Sequence, residues 1–143
     1  MKNVRKNFIL CAIISIYFLP AHAACLGYDP EKVNLQGKLV RETYPGPPNF
    51  ESVKDGDEPE TGYYLHLGKS ICVRDKNNQE LSSYDHVKNV QLILSAKQYK
   101  QLRPRLGKQV TLGGMLWDGN TGHYHAPVGF KVKKLISKKL IIK

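Results

Sequence analysis

The chain lacks the short motifs that mark common catalytic centres. Neither G-x-S-x-G nor H-E-x-x-H occurs, which excludes the usual hydrolase and metalloprotease arrangements. The densest acidic stretch, ESVKDGDEPE, has no second acidic segment to oppose it, as a glycosidase would need. The same stretch lacks the D-x-[DN]-x-[DN]-G order of an EF-hand calcium loop. We therefore expect a protein that is not an enzyme.

Long apolar runs are also lacking outside one N-terminal stretch. That stretch, Phe8 to Leu19, spans about twelve residues, whereas a membrane-spanning helix needs about twenty. It follows the cationic start MKNVRK and precedes Ala21-His22-Ala23, the small-x-small pattern that signal peptidase reads. These features predict a cleaved export signal over residues 1–23 and a soluble periplasmic or secreted product. A lipoprotein is the alternative, because Cys25 follows closely, but His22 stands where a leucine-like residue is normally needed.

Cysteine is scarce, with three residues in the chain. Cys11 lies inside the predicted signal, so Cys25 and Cys72 remain after cleavage. An even pair in an exported protein predicts one disulfide, which would tie the N-terminus to the fold. Two free thiols are the alternative. A redox-active pair is disfavoured, because neither cysteine lies in a C-x-x-C motif.

A broad basic surface is missing despite a formal net charge of +10. Removing the three cations of the signal leaves +7, and six of these lie in the final segment KVKKLISKKLIIK, so the body carries about +1. This distribution argues against nucleic acid as the partner. We expect one domain over residues 24–136 and a basic tail over residues 137–143. The tail either frays or makes peripheral contact with an anionic membrane.

The chain does contain several segments in which apolar and polar residues alternate. They predict five strands, in VNLQGKLVRET, in GYYLHL continued by ICV, in VQLIL, in LGKQVTLGGML, and from Ala126 to Ile136. Ser95 offers an N-cap for a short helix in AKQYKQL, between the third and fourth strands. This order predicts an all-β fold with a small helical part, a five-stranded OB-fold-like Greek-key barrel. Another small barrel or sandwich is the alternative.

Several segments together resemble a known family. They are CLGYDP, LQGKLVRETYPGPPNFESVKDGDEPETGYYLHL, ICV, VQLIL, LGKQVTLGGML and TGHYHAPV. The chain resembles the bacterial exported proteins of domain of unknown function family 4431. The resemblance implies a small signal-bearing protein with the same two cysteines, and it brings no activity, substrate or catalytic residue. The tail from Ser137 onward is longer and more basic than the resemblance leads us to expect.

Two loops are candidates for ligand contact. OB-like barrels bind ligands on the face of strands two and three, between the loop joining strands one and two and the loop joining strands four and five. The first is proline-rich and spans residues 44–60; the second carries two histidines and spans residues 117–128. The alternative is that the aromatic residues only close one end of the barrel. The predicted contacts are Tyr44, Phe50, Trp117 and Tyr124.

A metal site is a second hypothesis for the histidine-bearing loop. His123 and His125 are two residues apart, so on an extended strand they would lie on one side about 7 Å apart at Cα. Two imidazoles make half of a zinc or copper site, and His66, Asp118 or a carboxylate of the acidic stretch ESVKDGDEPE would complete it. Alternatively, one histidine bonds to loop backbone and the other is exposed.

We therefore expect a non-enzymatic binding or interaction module of the periplasm whose ligand, an unknown protein or small molecule, sits where the two loops converge. A metal-binding protein and an inhibitor or immunity-type protein are the alternatives.

Overall fold

A computed structural model describes residues 24–120 and 122–136. The predicted signal over residues 1–23 and the predicted tail over residues 137–143 lie outside the described residues. No described helix has the length and apolar character needed to cross a membrane. The elements in chain order are β1 (Leu26–Gly27), β2 (Lys32–Pro45), β3 (Pro59–Arg74), β4 (Tyr84–Ile93), α1 (Ala96–Leu102), β5 (Gln109–Asp118) and β6 (Val128–Ile136).

The inner faces of the strands carry the alternating apolar residues. Along β2 the buried residues alternate with exposed ones; the buried residues are Val33, Leu35, Gly37 and Leu39. Leu65 and Leu67 do the same on β3. Because successive side chains of a strand point to opposite faces, each strand contributes one apolar row to a shared core. The largest fully buried side chains of that core include Phe130, Leu112 and Leu116.

The sheet closes on itself into a five-stranded barrel. Around it the strands pair in the order β2, β3, β4, β6, β5 and back to β2. The β4–β6 pair is parallel and the others are antiparallel. The predicted OB-fold-like Greek-key barrel is thus confirmed, with β2 to β6 as its five strands.

The predicted helix between the third and fourth barrel strands is also confirmed. Ser95 and Gln98 form a reciprocal capping box at the start of α1. Leu102 of α1 joins the core, and Tyr99 meets Tyr63 of β3 edge-on at 4.9 Å between ring centroids. Gln98 Nε2 also donates to the backbone oxygen of Val132 at 2.8 Å. The helix therefore packs against both β3 and β6.

The predicted disulfide between Cys25 and Cys72 is present, with Cα atoms 4.7 Å apart. It holds the N-terminal segment beside β3, where Leu26 and Gly27 pair in parallel with Val73 and Arg74. This two-residue strand, β1, was not predicted, because two residues are too few to show alternation. The N-terminal segment is consequently part of the fold.

The predicted strand bounds differ from the observed ones by a few residues, most of all at β4. β4 begins at Tyr84, six residues before the predicted Val90. Its first half pairs only with β3 and buries Val87 alone, so the sequence there shows no alternation. β6 begins at Val128 and leaves Ala126 in the preceding loop. That loop is therefore longer than the alternation suggested.

Candidate functional site

The outer face of β2, β3 and β4 carries the candidate site. Cross-strand pairing places Tyr44 opposite Glu60, and Val40 opposite Tyr64, which in turn lies opposite Gln91. Directly paired residues of neighbouring strands point to the same side of a sheet. Their side chains therefore share one surface, the one that OB-like barrels use for ligands.

The proline-rich loop, predicted over residues 44–60, spans residues 46–58 between β2 and β3 and is fixed by the buried carboxylate of Asp57. Asp57 Oδ1 accepts from the backbone nitrogen of Asn49 at 2.9 Å, and Oδ2 accepts from those of Glu51 and Ser52 at 2.7 and 2.8 Å. These backbone bonds, with that from Ser52 the strongest, lower the pKa of Asp57. The sequence shows the prolines of this loop but gives no sign that Asp57 orders it.

Glu60 joins β3 to the histidine-bearing loop. Its Oε1 lies 2.7 Å from His123 Nδ1, and its Oε2 lies 2.7 Å from His125 Nε2. An ionised carboxylate only accepts hydrogen bonds, so each facing ring nitrogen carries a proton. The bond from His123, followed by that from His125, lowers the pKa of Glu60. We call this three-residue arrangement the Glu60 clasp.

Aromatic and amide contacts hold the same loop from the other sides. The His125 ring stacks on Tyr44, with centroids 4.8 Å apart, and the His123 ring meets Phe50 edge-on at 6.1 Å. Gln91 Oε1 accepts from the backbone nitrogen of His125 at 2.8 Å, and its Nε2 donates to the backbone oxygen of His123 at 3.4 Å. The two loops that the sequence singled out therefore meet over β3 and β4.

A surface cleft of about 290 Å³ opens between the clasp and the sheet. The Tyr64 hydroxyl is buried and has no hydrogen-bond partner among the described residues. Burial raises the pKa of Tyr64 well above its usual value, so the hydroxyl keeps its proton. The cleft thus combines carboxylate, imidazole, amide and phenol groups. It is lined by Glu60, Thr61, Gly62, Tyr64, Gln91, His123 and His125.

None of the four predicted contact residues is among those that line this cleft, although Tyr44 and Phe50 contact the histidines that do. Tyr44 is half-buried beneath His125, and Phe50 is 41% exposed at the tip of the proline-rich loop. Trp117 is 44% exposed, and a β-carbon built on Gly129 would lie 3.5 Å from its Cβ and 3.0 Å from Tyr124 Cε1. Trp117 and Tyr124 therefore both lie next to Gly129.

The four predicted metal ligands are not brought together. His123 and His125 lie in a turn and a bend, not on an extended strand, and face different oxygens of one carboxylate. His66 Nε2 contacts Glu42 Oε1 at 2.8 Å, and Asp118 lines a different cavity. Over residues 24–120 and 122–136, no three or more His, Cys, Asp or Glu residues are grouped to hold a metal ion. Zinc or copper binding stays a prediction without a preformed ligand set in that part of the chain.

Sequence reasoning missed Tyr64 and Gln91, and it offered Glu60 only as one of several carboxylates of the acidic stretch. Alternation along β3 gives Glu60 and Tyr64 the same outward parity. This alternation was the one feature of the sequence from which a shared outer face for Glu60 and Tyr64 could have been predicted. The opposing Gln91 is fixed only by the register of β3 against β4, which the sequence does not encode locally.

A comparison with protein families finds one match. The family model described as Domain of unknown function (DUF4431) matches residues 89–136, which run from the second half of β4 to the end of β6. The match confirms the resemblance to this family over that range, which includes Gln91, His123 and His125. No curated protein and no solved structure matches the chain.

Proposed function

We propose that this protein is an exported, non-enzymatic binding module whose ligand occupies the cleft beside the Glu60 clasp. The observation that carries the proposal is the Tyr64 hydroxyl, which is buried at the cleft without a partner. A buried polar group left unpaired costs roughly 1–3 kcal/mol. A ligand that supplies an acceptor there would recover that cost on binding.

The lining of the cleft favours a ligand rich in hydroxyl groups. Glu60 and Gln91 offer acceptors, Tyr64 offers a donor, and the exposed ring of Phe50 stands beside His123. The volume of the cleft, about 290 Å³, is near the lower limit of roughly 300 Å³ for small-ligand sites, so the cleft fits one ring of a longer ligand. OB-like barrels bind oligosaccharides on this face. We therefore propose an oligosaccharide.

A glycan array followed by titration calorimetry on the strongest glycan tests this proposal. Tyr64→Phe removes only the unpaired hydroxyl, so it should weaken binding by about tenfold, the equivalent of 1.4 kcal/mol. Tyr63→Phe is the matched control, because the neighbouring Tyr63 points to the inner face toward α1. Binding to no glycan, or equal binding by both variants, would contradict the proposal.

Export is supported by the Cys25–Cys72 disulfide, because disulfides persist in oxidising compartments. Cell fractionation and the intact mass of the recovered protein test it. We expect a periplasmic product that begins at Ala24. A cytoplasmic product of full mass would contradict export.

A protein partner is the second candidate, and the exposure of Phe50 and Trp117 favours it. Exposed aromatic residues are typical anchors of protein interfaces. Cross-linking in cells, followed by recovery of the protein, would compare the natural chain with a Phe50→Ser, Trp117→Ser double variant. If the protein is an inhibitor or immunity-type protein, we expect one partner that the double variant loses.

The metal hypothesis is tested by measuring zinc and copper in protein purified without chelator, with His123→Ala and His125→Ala as controls.

A further inference from the structure

A second and larger cavity lies where the N-terminal segment crosses the barrel. Its volume is about 510 Å³, and none of its lining residues lines the cleft of the proposed function. Three segments build its walls: the N-terminal segment, the loop between β3 and β4, and the end of β5. The lining residues are Tyr28, Asp29, Pro30, Gln79, Leu81, Leu116, Trp117, Asp118 and Asn120.

Hydrogen bonds to Ser82 fix the walls relative to one another. The Tyr28 hydroxyl donates to the backbone oxygen of Ser82 at 2.7 Å, and Asp118 Oδ2 accepts from its backbone nitrogen at 3.1 Å. The backbone nitrogen of Asp29 donates to the Leu116 oxygen at 2.9 Å. The cavity is therefore held open by contacts between its three segments.

Asp75 orders the loop that supplies the remaining wall. Its Oδ1 accepts from the backbone nitrogen of Asn77 at 3.0 Å, and its Oδ2 accepts from those of Gln79 and Leu81 at 2.6 and 3.2 Å. One carboxylate thus satisfies three backbone donors, as in an extended Asx turn. Leu81 is consequently fixed as an apolar wall of the cavity.

Asp118 leaves one carboxylate oxygen without a partner. Its Oδ1 is buried and unpaired among the described residues, while Oδ2 is occupied by Ser82. Burial, followed by the charge of Asp118, raises the pKa of Tyr28, which lines the same cavity. The nearby cation Lys76 is engaged with Glu31 at 2.8 Å. No Lys, Arg or His is among the lining residues described.

We propose that this cavity binds a small organic ammonium compound. The ammonium group donates to Asp118 Oδ1, and the apolar body of the ligand packs against Pro30, Leu81 and Trp117. Trp117 and Asp118 both line the cavity, and cations are attracted to aromatic rings and to carboxylates. An anionic ligand is disfavoured, because Asp29 and Asp118 both line the cavity.

Trp117 is the one tryptophan of the chain, so intrinsic indole fluorescence reports directly on this cavity. Cyclohexylamine is the probe and cyclohexanol is its neutral counterpart of the same shape. We expect a saturable change in emission with the amine and at least about tenfold weaker binding of the alcohol, since tenfold corresponds to 1.4 kcal/mol. No response to the amine, or equal responses to both, overturns the proposal.

Asp118→Asn tests the role of the carboxylate, because it keeps the shape of the side chain and removes its charge. We expect amine binding to weaken by about tenfold or more, with thermal unfolding recorded to confirm that the variant folds. Asp55→Asn is the matched control, because Asp55 is exposed in the proline-rich loop. Leu81→Phe keeps the carboxylate and narrows the cavity, so it should also reduce binding. Unchanged binding in Asp118→Asn or in Leu81→Phe overturns the proposal.

Discussion

The imidazole of His125 lies flat against the ring of Tyr44, with centroids 4.8 Å and planes 9° apart. The Tyr44 hydroxyl is itself anchored, because it donates to Glu42 Oε2 at 2.8 Å. Tyr44 therefore supports the histidine-bearing loop from the end of β2. Its ring is a platform for the loop as well as a candidate ligand contact.

Replacing Tyr44 should loosen the loop in proportion to the stacking that is lost. Tyr44→Leu removes the aromatic face, which is worth about 0.5–1.5 kcal/mol in such pairs, whereas Tyr44→Phe keeps it. Amide hydrogen exchange over residues 122–127 should become faster in Tyr44→Leu only. Equal protection in the two variants would show that the stacking does not hold the loop.

The Glu60 clasp should open in acid. The pKa of Glu60 is below its ordinary value of 4.5 in the folded protein, because His123 and His125 donate to its carboxylate. The stabilisation is therefore complete above about pH 4.5 and is lost as the pH falls through the lower folded pKa. Histidine ring signals recorded by NMR between about pH 6 and pH 3 should report this opening. In Glu60→Gln the transition should be absent; its persistence would assign the opening to another group.

Removing the disulfide should destabilise the barrel. Cys25→Ala with Cys72→Ala frees the N-terminal segment across a sequence separation of 47 residues, and such a crosslink contributes about 2–4 kcal/mol. Urea unfolding without reductant measures the difference. The natural protein unfolded with reductant is the control and should match the double variant. An unchanged midpoint would show that the segment is held by its other contacts alone.

Gly114 should tolerate no side chain, whereas Gly68 should. A β-carbon at Gly114 would overlap the backbone oxygen of Lys131 and lie 3.0 Å from Phe130 Cζ, at the irregularity where β5 meets β6. Gly114→Ala should therefore lower the free energy of unfolding by about 1–3 kcal/mol. A β-carbon built on Gly68 has no neighbouring atom within 4 Å, so Gly68→Ala should change the free energy of unfolding by less than about 0.5 kcal/mol. Equal effects in thermal unfolding would contradict this account.

Sequence patterns predicted the barrel because the strands bury one face. Val33, Leu35 and Leu39 of β2 form an alternating row that needs no knowledge of the partner strand. The first half of β4 was missed, because Val87 is its one buried residue and a single apolar position gives no period. β1 was missed because two residues show no alternation and their partners, Val73 and Arg74, are distant in sequence.

The sequence predicted which two loops form the candidate site, but it did not predict the contacts between their residues. The sequence indicated that the two loops would meet, and His123 and His125 do reach β3. It offered the carboxylates of the acidic stretch as partners but did not select Glu60 among them, because that contact spans more than sixty residues. Contacts set by strand register, such as Tyr64 with Gln91, arise from pairing across the sheet and leave no local pattern.

The short strand β1 has a further consequence for how the molecule meets other chains. β2 pairs with β3 only as far as Leu67, which leaves the backbone of the later part of β3 without β2 as a neighbour. β1 takes that place at Val73 and Arg74. An unpaired strand edge is a template on which a second polypeptide can add by backbone hydrogen bonds. The disulfide-held segment thus also protects the barrel against self-association at this edge.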